Sequence, residues 1–138
     1  MIQQFDTSFG KCFYIGNESV SCILGVHCGQ IELLHFGAPL LREDAEALNL
    51  PEGLGWGCSV LYKQADSSVC LDTRALVWSE SGLGDYRETP IALSQNGQPV
   101  VPDFVFSAFQ ILPELPAYAF PMPHAHNGAE TLELVLAA

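Results

Sequence analysis

Several groups of side chains in this 138-residue chain have types and spacings suited to chemistry. Glu43, Asp44 and Glu46 crowd one short stretch, and neighbouring carboxylates are common apparatus for general acid–base work. In a polar loop the plainer reading is a solvated acidic surface. Asp85 and Glu88 flank Arg87 in a Gly-rich stretch that includes Gly84; Asp-x-Arg there reads as an ion pair that fixes a turn. His124 and His126 lie two apart, which on a strand puts both rings on one face. No third ligand accompanies them, so neither a metal nor any other cofactor is expected. His27 and His35 stand singly in strand-like runs and are expected to be packed rather than ligating.

Other chemistries lack their signatures. Nucleophilic catalysis needs Ser or Cys with His and Asp; the types occur, but no G-x-S-x-G elbow does. There is no Walker loop and no G-x-G-x-x-G fingerprint. Trp78 sits inside Ala75-Leu76-Val77-Trp78 and reads as a core aromatic. Trp56 lies between Gly55 and Gly57, where it suits either a core position or a stacking platform for the apolar face of a sugar ring.

The elements that must carry these residues are strands. Short aromatic and β-branched runs recur between Gly, Pro, Asn and Asp. Lys11–Ile15, Val20–His27 and Gln30–Phe36 predict a three-stranded meander, with Gly16-Asn17 and Cys28-Gly29 as its turns. Residues 37–57 form a long loop with one short helical turn within Leu41–Leu48, and a loop of that length in a compact domain is functional or disordered. Strands are expected again at Ser59–Lys63 and Arg74–Ser79. A hairpin follows around Asn96-Gly97, whose residues favour the positive φ of a type I′ turn. Phe104–Phe109 is apolar on both faces, which predicts that both are covered. Four prolines from Pro113 to Pro123 give a stiff connection, and Thr131–Leu136 is the last strand. That strand has no closing turn, so the polypeptide is expected to continue.

Composition narrows the classes of function. The length suits one domain, and 49% hydrophobic residues rule out compositional disorder. The formal net charge is -11, with five Lys and Arg against sixteen Asp and Glu. Phosphate recognition rests on cationic contacts, so nucleic acid and anionic membrane are disfavoured as partners, whereas a neutral sugar is compatible. The five cysteines, Cys12, Cys22, Cys28, Cys58 and Cys70, form no C-x-x-C pair. They are expected to be free thiols in a reducing compartment. The N-terminus shows no basic segment followed by an apolar run, and no apolar stretch approaches the ~20 residues of a membrane span. A cytoplasmic location is expected.

One stretch is more specific. Ser81-Gly82-Leu83-Gly84-Asp85-Tyr86-Arg87-Glu88-Thr89-Pro90-Ile91 resembles the G-x-G-D-[FY]-R…P stretch in the N-terminal domain of glycoside hydrolase family 36 α-galactosidases. Tyr14–Gly25 resembles that family's opening strand pair. Gly29-Gln30 to Phe36-Gly37, Asp103-Phe104 with Ile111, and Ala129–Leu134 are similar to its later strands. The resemblance covers about Phe13 to Leu136, and departs from the family where Pro90 follows Arg87 by three places rather than two.

The resemblance implies an all-β fold: an antiparallel β-sandwich, part of a galactose-mutarotase-like β-supersandwich, occupying residues 1–138 as an N-terminal domain. It implies a retaining hydrolase of terminal α-galactosides. The two catalytic aspartates would lie on a (β/α)8 barrel of ~250 residues, which this chain has no room for. No catalytic residue is therefore assigned here, and the chain is expected to be inactive alone. Relatives form homo-oligomers in which a loop similar to 36–56 reaches a neighbour's sugar pocket, supplying an Asp and a Trp. By position these would be Asp44 and Trp56, with Gly84, Asp85 and Arg87 as the structural motif. The implied partners are an α-galactoside, the barrel of the same polypeptide and further copies of the chain. The alternative is a standalone carbohydrate-binding or assembly module.

Overall fold

The computed structural model describes residues 1–48, 61–64, 67–71, 74–80, 91–116 and 130–138. Their strands are β1 (Ile2–Thr7), β2 (Gly10–Gly16), β3 (Ser21–His27), β4 (Gln30–Gly37), β5 (Leu61–Gln64), β6 (Ser67–Cys70), β7 (Leu93–Gln95), β8 (Gln98–Val100), β9 (Val105–Leu112) and β10 (Thr131–Ala137). A 3-10 turn at Arg42–Asp44 runs into a single helical turn, α1 (Ala45–Leu48). Every strand pairing is antiparallel. The domain is an all-β sandwich: its all-β class is what the sequence pattern predicts, and the sandwich is what the resemblance implies.

β1 to β4 form one sheet in chain order. Residues directly opposite one another share a face, so the register sorts the side chains. Ile2, Ile15, Cys22 and Phe36 make one row, and Gln4, Phe13, Leu24 and Leu33 make another on the same face. Gln3, Tyr14, Ile23 and His35 lie on the opposite face, as do Phe5, Cys12, Gly25 and Glu32. A bulge between Ile23 and Leu24 inserts Leu34 and keeps both rows of β4 aligned.

Both faces receive cover, which explains why Cys12-Phe13-Tyr14 are buried in succession. On the first face Phe13, at 0% exposure, meets Phe109 edge-on at 5.0 Å between centroids and Phe106 at 6.0 Å. These aromatics join the sheet to the β9–β10 hairpin, and the Phe106 N–H donates to the Gly29 carbonyl at 2.7 Å. Lys11 lies over the Phe109 ring at 5.7 Å. On the second face Tyr14, Ile23 and Ala45 form a buried cluster, with Phe5, Leu34, Leu40 and Leu48 against it. Val69, Leu71 and Cys28 form another, with Leu76 beside them.

The turns follow local chemistry. Cys28 and Gly29 have φ of 49° and 75°, and Asn96 and Gly97 have 53° and 75°. Two successive positive φ values match the twist of a tight hairpin, and both turns fall where the residues predict them.

Four expectations change. β1 is an additional strand ahead of the meander, with alternating partners for β2 that a polar run such as Gln3-Gln4 hides. β6 is a second additional strand, paired to β5. Arg74–Ser79 is a bridge rather than a full strand. Leu76 pairs with Glu32, while the Leu33 N–H donates to Ala75 and the Val77 N–H to Ile31. Finally, β9 is not covered on both faces: Ser107, Ala108 and Gln110 are exposed. A bulge between Val135 and Leu136 lets Phe106 and Phe109 point the same way, so the apolar run serves one face.

The cysteine reading also changes. Cys12 and Cys22 keep free thiols, but Cys70 is disulfide-bonded, to a partner outside the described residues. The five cysteines therefore do not support a reducing compartment as a set.

Candidate functional site

The candidate loop springs from β4 and is fastened at its root. Ser21, fully buried on β3, receives the Leu40 N–H at 3.0 Å and donates to the Ala38 carbonyl at 3.4 Å. His35 Nε2 also reaches Ala38 O, at 2.9 Å. Leu40, Ala45 and Leu48 then pack on Tyr14 and Ile23. A short helical turn cannot stand alone, so this apolar contact is what orders it.

Asp44 sits on the outer side of this turn and is exposed. Its Oδ2 accepts the Leu41 N–H at 3.1 Å, and its own N–H donates to Leu41 O at 3.0 Å. One carboxylate oxygen thus caps the turn, which fixes the direction of the other. Trp56 lies outside the described residues, as do Gly84, Asp85, Arg87, His124 and His126.

The two acids beside Asp44 are committed elsewhere. Glu46 accepts the Ser8 backbone N–H at 2.7 Å and the Ser8 hydroxyl at 2.6 Å. The hydroxyl first, then the backbone N–H, holds its carboxyl below the usual carboxylate range. The backbone N–H of Glu43 and the Arg42 guanidinium, 3.1 Å away, hold Glu43 below that range too. Both stay ionised, so neither suits the part of a general acid. Phe5, Asp6, Thr7, Arg42, Glu43 and Glu46 line an open groove of about 350 Å³ beside them.

Two further acids, Glu32 and Glu80, lie in the interior and were not singled out in the sequence, and His27, expected to be packed, lies beside the first. Glu32 is 4% exposed and takes Arg74 Nη1 on both oxygens, at 3.3 and 3.4 Å. His27 Nδ1 lies 3.8 Å from Glu32 Oε1 and makes no hydrogen bond. Glu80 is 2% exposed and accepts the Trp78 indole N–H at 3.2 Å and the Phe104 backbone N–H at 3.2 Å. Burial pushes the Glu80 carboxyl up, against those two donors. It ties the 74–80 segment to the entry of β9 as a structural pin. Trp78 stacks edge-on against Phe104 at 6.4 Å and is partly buried, which agrees with a packing role.

Among the described residues no cluster of three or more His, Cys, Asp or Glu could hold a metal ion. The arrangement offers exposed hydrogen-bond acceptors on a braced turn.

No curated protein matches the chain at a significant level. A family model does. It matches from Gly29 onward and so leaves the Tyr14–Gly25 stretch outside the matched region. Residues 29–138 match the glycosyl hydrolase family 36 N-terminal domain, and the chain belongs to that family.

Proposed function

We propose that the chain is the non-catalytic N-terminal domain of an α-galactosidase that cleaves terminal α-galactosides with retention. It would contribute to a homo-oligomer, with Asp44 and Trp56 lending contacts to a neighbouring subunit's sugar pocket. The observation that carries the subsite reading is Asp44 itself: an exposed carboxylate on a turn braced by Ser21 and by packing on Tyr14. A carboxylate with one oxygen held by Leu41 has the other available for sugar hydroxyls.

The test is Asp44→Asn in the full-length enzyme, assayed on a small α-galactoside. Asparagine keeps a carbonyl oxygen for the Leu41 N–H, so the turn should survive. The expected result is a loss of about tenfold or more in kcat/KM, the scale of one charged hydrogen bond, at unchanged Tm. Unaltered kinetics would remove Asp44 from the pocket. Absence of α-galactoside hydrolysis by the unsubstituted full-length protein would remove the substrate assignment.

A further inference from the structure

Asn96 and Gly97 are the two turn residues of the β7–β8 hairpin. They lie outside its ladder, which pairs Leu93 with Val100, Ser94 with Pro99 and Gln95 with Gln98. All six ladder residues are exposed, and so are Asn96 and Gly97. The hairpin is a sheet of its own, hydrogen-bonded to no other strand. Two strands standing alone are marginal in water, so this hairpin opens at little cost, as sparsely packed segments do.

The turn sets an asparagine amide beside a nitrogen that can attack it. Gly97 has no side chain to shield its nitrogen, and even a Cβ built there would meet nothing within 4 Å. Its N–H is not part of the ladder. Closing a ring between the two residues twists the Asn96 backbone out of the turn, so the rate follows the fraction of time the hairpin is open.

We propose that Asn96 is a site of spontaneous amide modification, with Gly97 as the attacking neighbour. The Gly97 nitrogen gives its proton to solvent base and bonds to the Asn96 side-chain carbonyl carbon. The bond from that carbon to the amide nitrogen breaks, and the nitrogen leaves as ammonia. Water then adds to either carbonyl of the five-membered ring and opens it, to aspartate or to isoaspartate. Both products place a new negative charge in the stretch between Glu88 and Asp103, which otherwise carries none. Isoaspartate also lengthens the main chain by a methylene, which a two-residue turn cannot hold in register. The damage stays local, because the hairpin stands apart from the sheets that form the core. This proposal is independent of the hydrolase reading. Asn127-Gly128 repeats the dipeptide outside the described residues.

The test follows the folded full-length protein over days at mildly alkaline pH, with digestion before aspartate residues. Cleavage at Asp85 and Asp103 separates the peptide of Asn96 from that of Asn127. New aspartate at position 96 adds a cut, whereas isoaspartate resists it and appears by mass as an uncut acid peptide. A synthetic peptide of residues 91–101 supplies the rate for an open hairpin. Asn96 in the folded protein should convert within about tenfold of that rate, the small protection of a segment that opens easily. Stronger protection overturns the proposal. Asn96→Gln should abolish the acid product, since the larger ring closes far more slowly; a product that persists overturns it in favour of Gln95 or Gln98. Asn96→Asp should leave the Tm unchanged. A clear drop would tie the hairpin into the cooperative core and overturn the proposal.

Discussion

Arg74 Nη1 lies 3.3 Å from Oε1 and 3.4 Å from Oε2 of Glu32, with 7% and 5% of their side chains exposed. The pair joins β4 to the segment that bridges it, two parts of the chain 42 residues apart. Charges taken from water at this depth are stabilising only as a pair. Glu32→Ala leaves the guanidinium buried without a counterion and is expected to cost about 3–5 kcal/mol. Replacing both residues together, Glu32→Leu with Arg74→Met, should recover most of that loss. Urea unfolding of the three proteins checks it. If the double variant is as weak as the single, the pair contributes more than mutual neutralisation.

Glu80 gives the domain a pH dependence of unusual sign. Burial raises its carboxyl above the ordinary value, outweighing the Trp78 and Phe104 donors that lower it. The folded state then holds this proton more tightly than the unfolded state. Stability from this group falls as pH rises from the ordinary carboxylate range through the raised folded value. Glu80→Gln keeps an oxygen for the Phe104 N–H and removes the charge, so the variant's stability should decline less over that window. Thermal melts between pH 4 and pH 7 compare the two proteins, and parallel curves would show that Glu80 does not titrate as a buried acid.

Glu46 should behave in the opposite way. Its lowered carboxyl contributes stability above the ordinary carboxylate value, and that contribution is lost as pH falls through the depressed folded value. Ser8→Ala removes the first of the two donors and leaves the backbone N–H. The Glu46 carboxyl should then titrate nearer to the ordinary range, as followed by carboxyl-carbon NMR. An unmoved titration would mean that the Ser8 hydroxyl does not hold it.

Gly10 and Gly97 both have positive φ, at 148° and 75°, but they should respond differently to alanine. A Cβ at Gly10 would collide with the backbone carbonyl of Val26, whereas one at Gly97 would meet nothing within 4 Å. Gly97→Ala should carry only the backbone penalty of about 1–2 kcal/mol. Gly10→Ala adds a shift of β2 against β3 and should lower Tm clearly further. Equal Tm losses would mean that the hairpin accommodates the methyl group.

How much was legible in the sequence differs by element. Turn chemistry is local, so Cys28-Gly29 and Asn96-Gly97 declared the hairpins in advance. The Gly84-Asp85-Arg87 motif pointed to the family, although its own geometry lies outside the described residues. Asp44 was singled out by position, and the structure adds that Leu41 engages one of its oxygens. β1 stayed hidden because Gln3 and Gln4 lack the apolar alternation that marks a strand; pairing with β2 supplies its backbone hydrogen bonds instead.

By itself, then, the sequence determined the all-β class and the hairpin positions, because alternation and positive-φ residues act over a few neighbours, while the family came from the resemblance of its motifs. Only the tertiary structure decided which acids are buried. Glu32 and Glu80 look no different in sequence from Glu43 and Glu46. What separates them is the partner that distant chain brings: Arg74 for Glu32, Phe104 for Glu80, Ser8 for Glu46. Burial of a charge is set by such long-range company, and no local pattern encodes it.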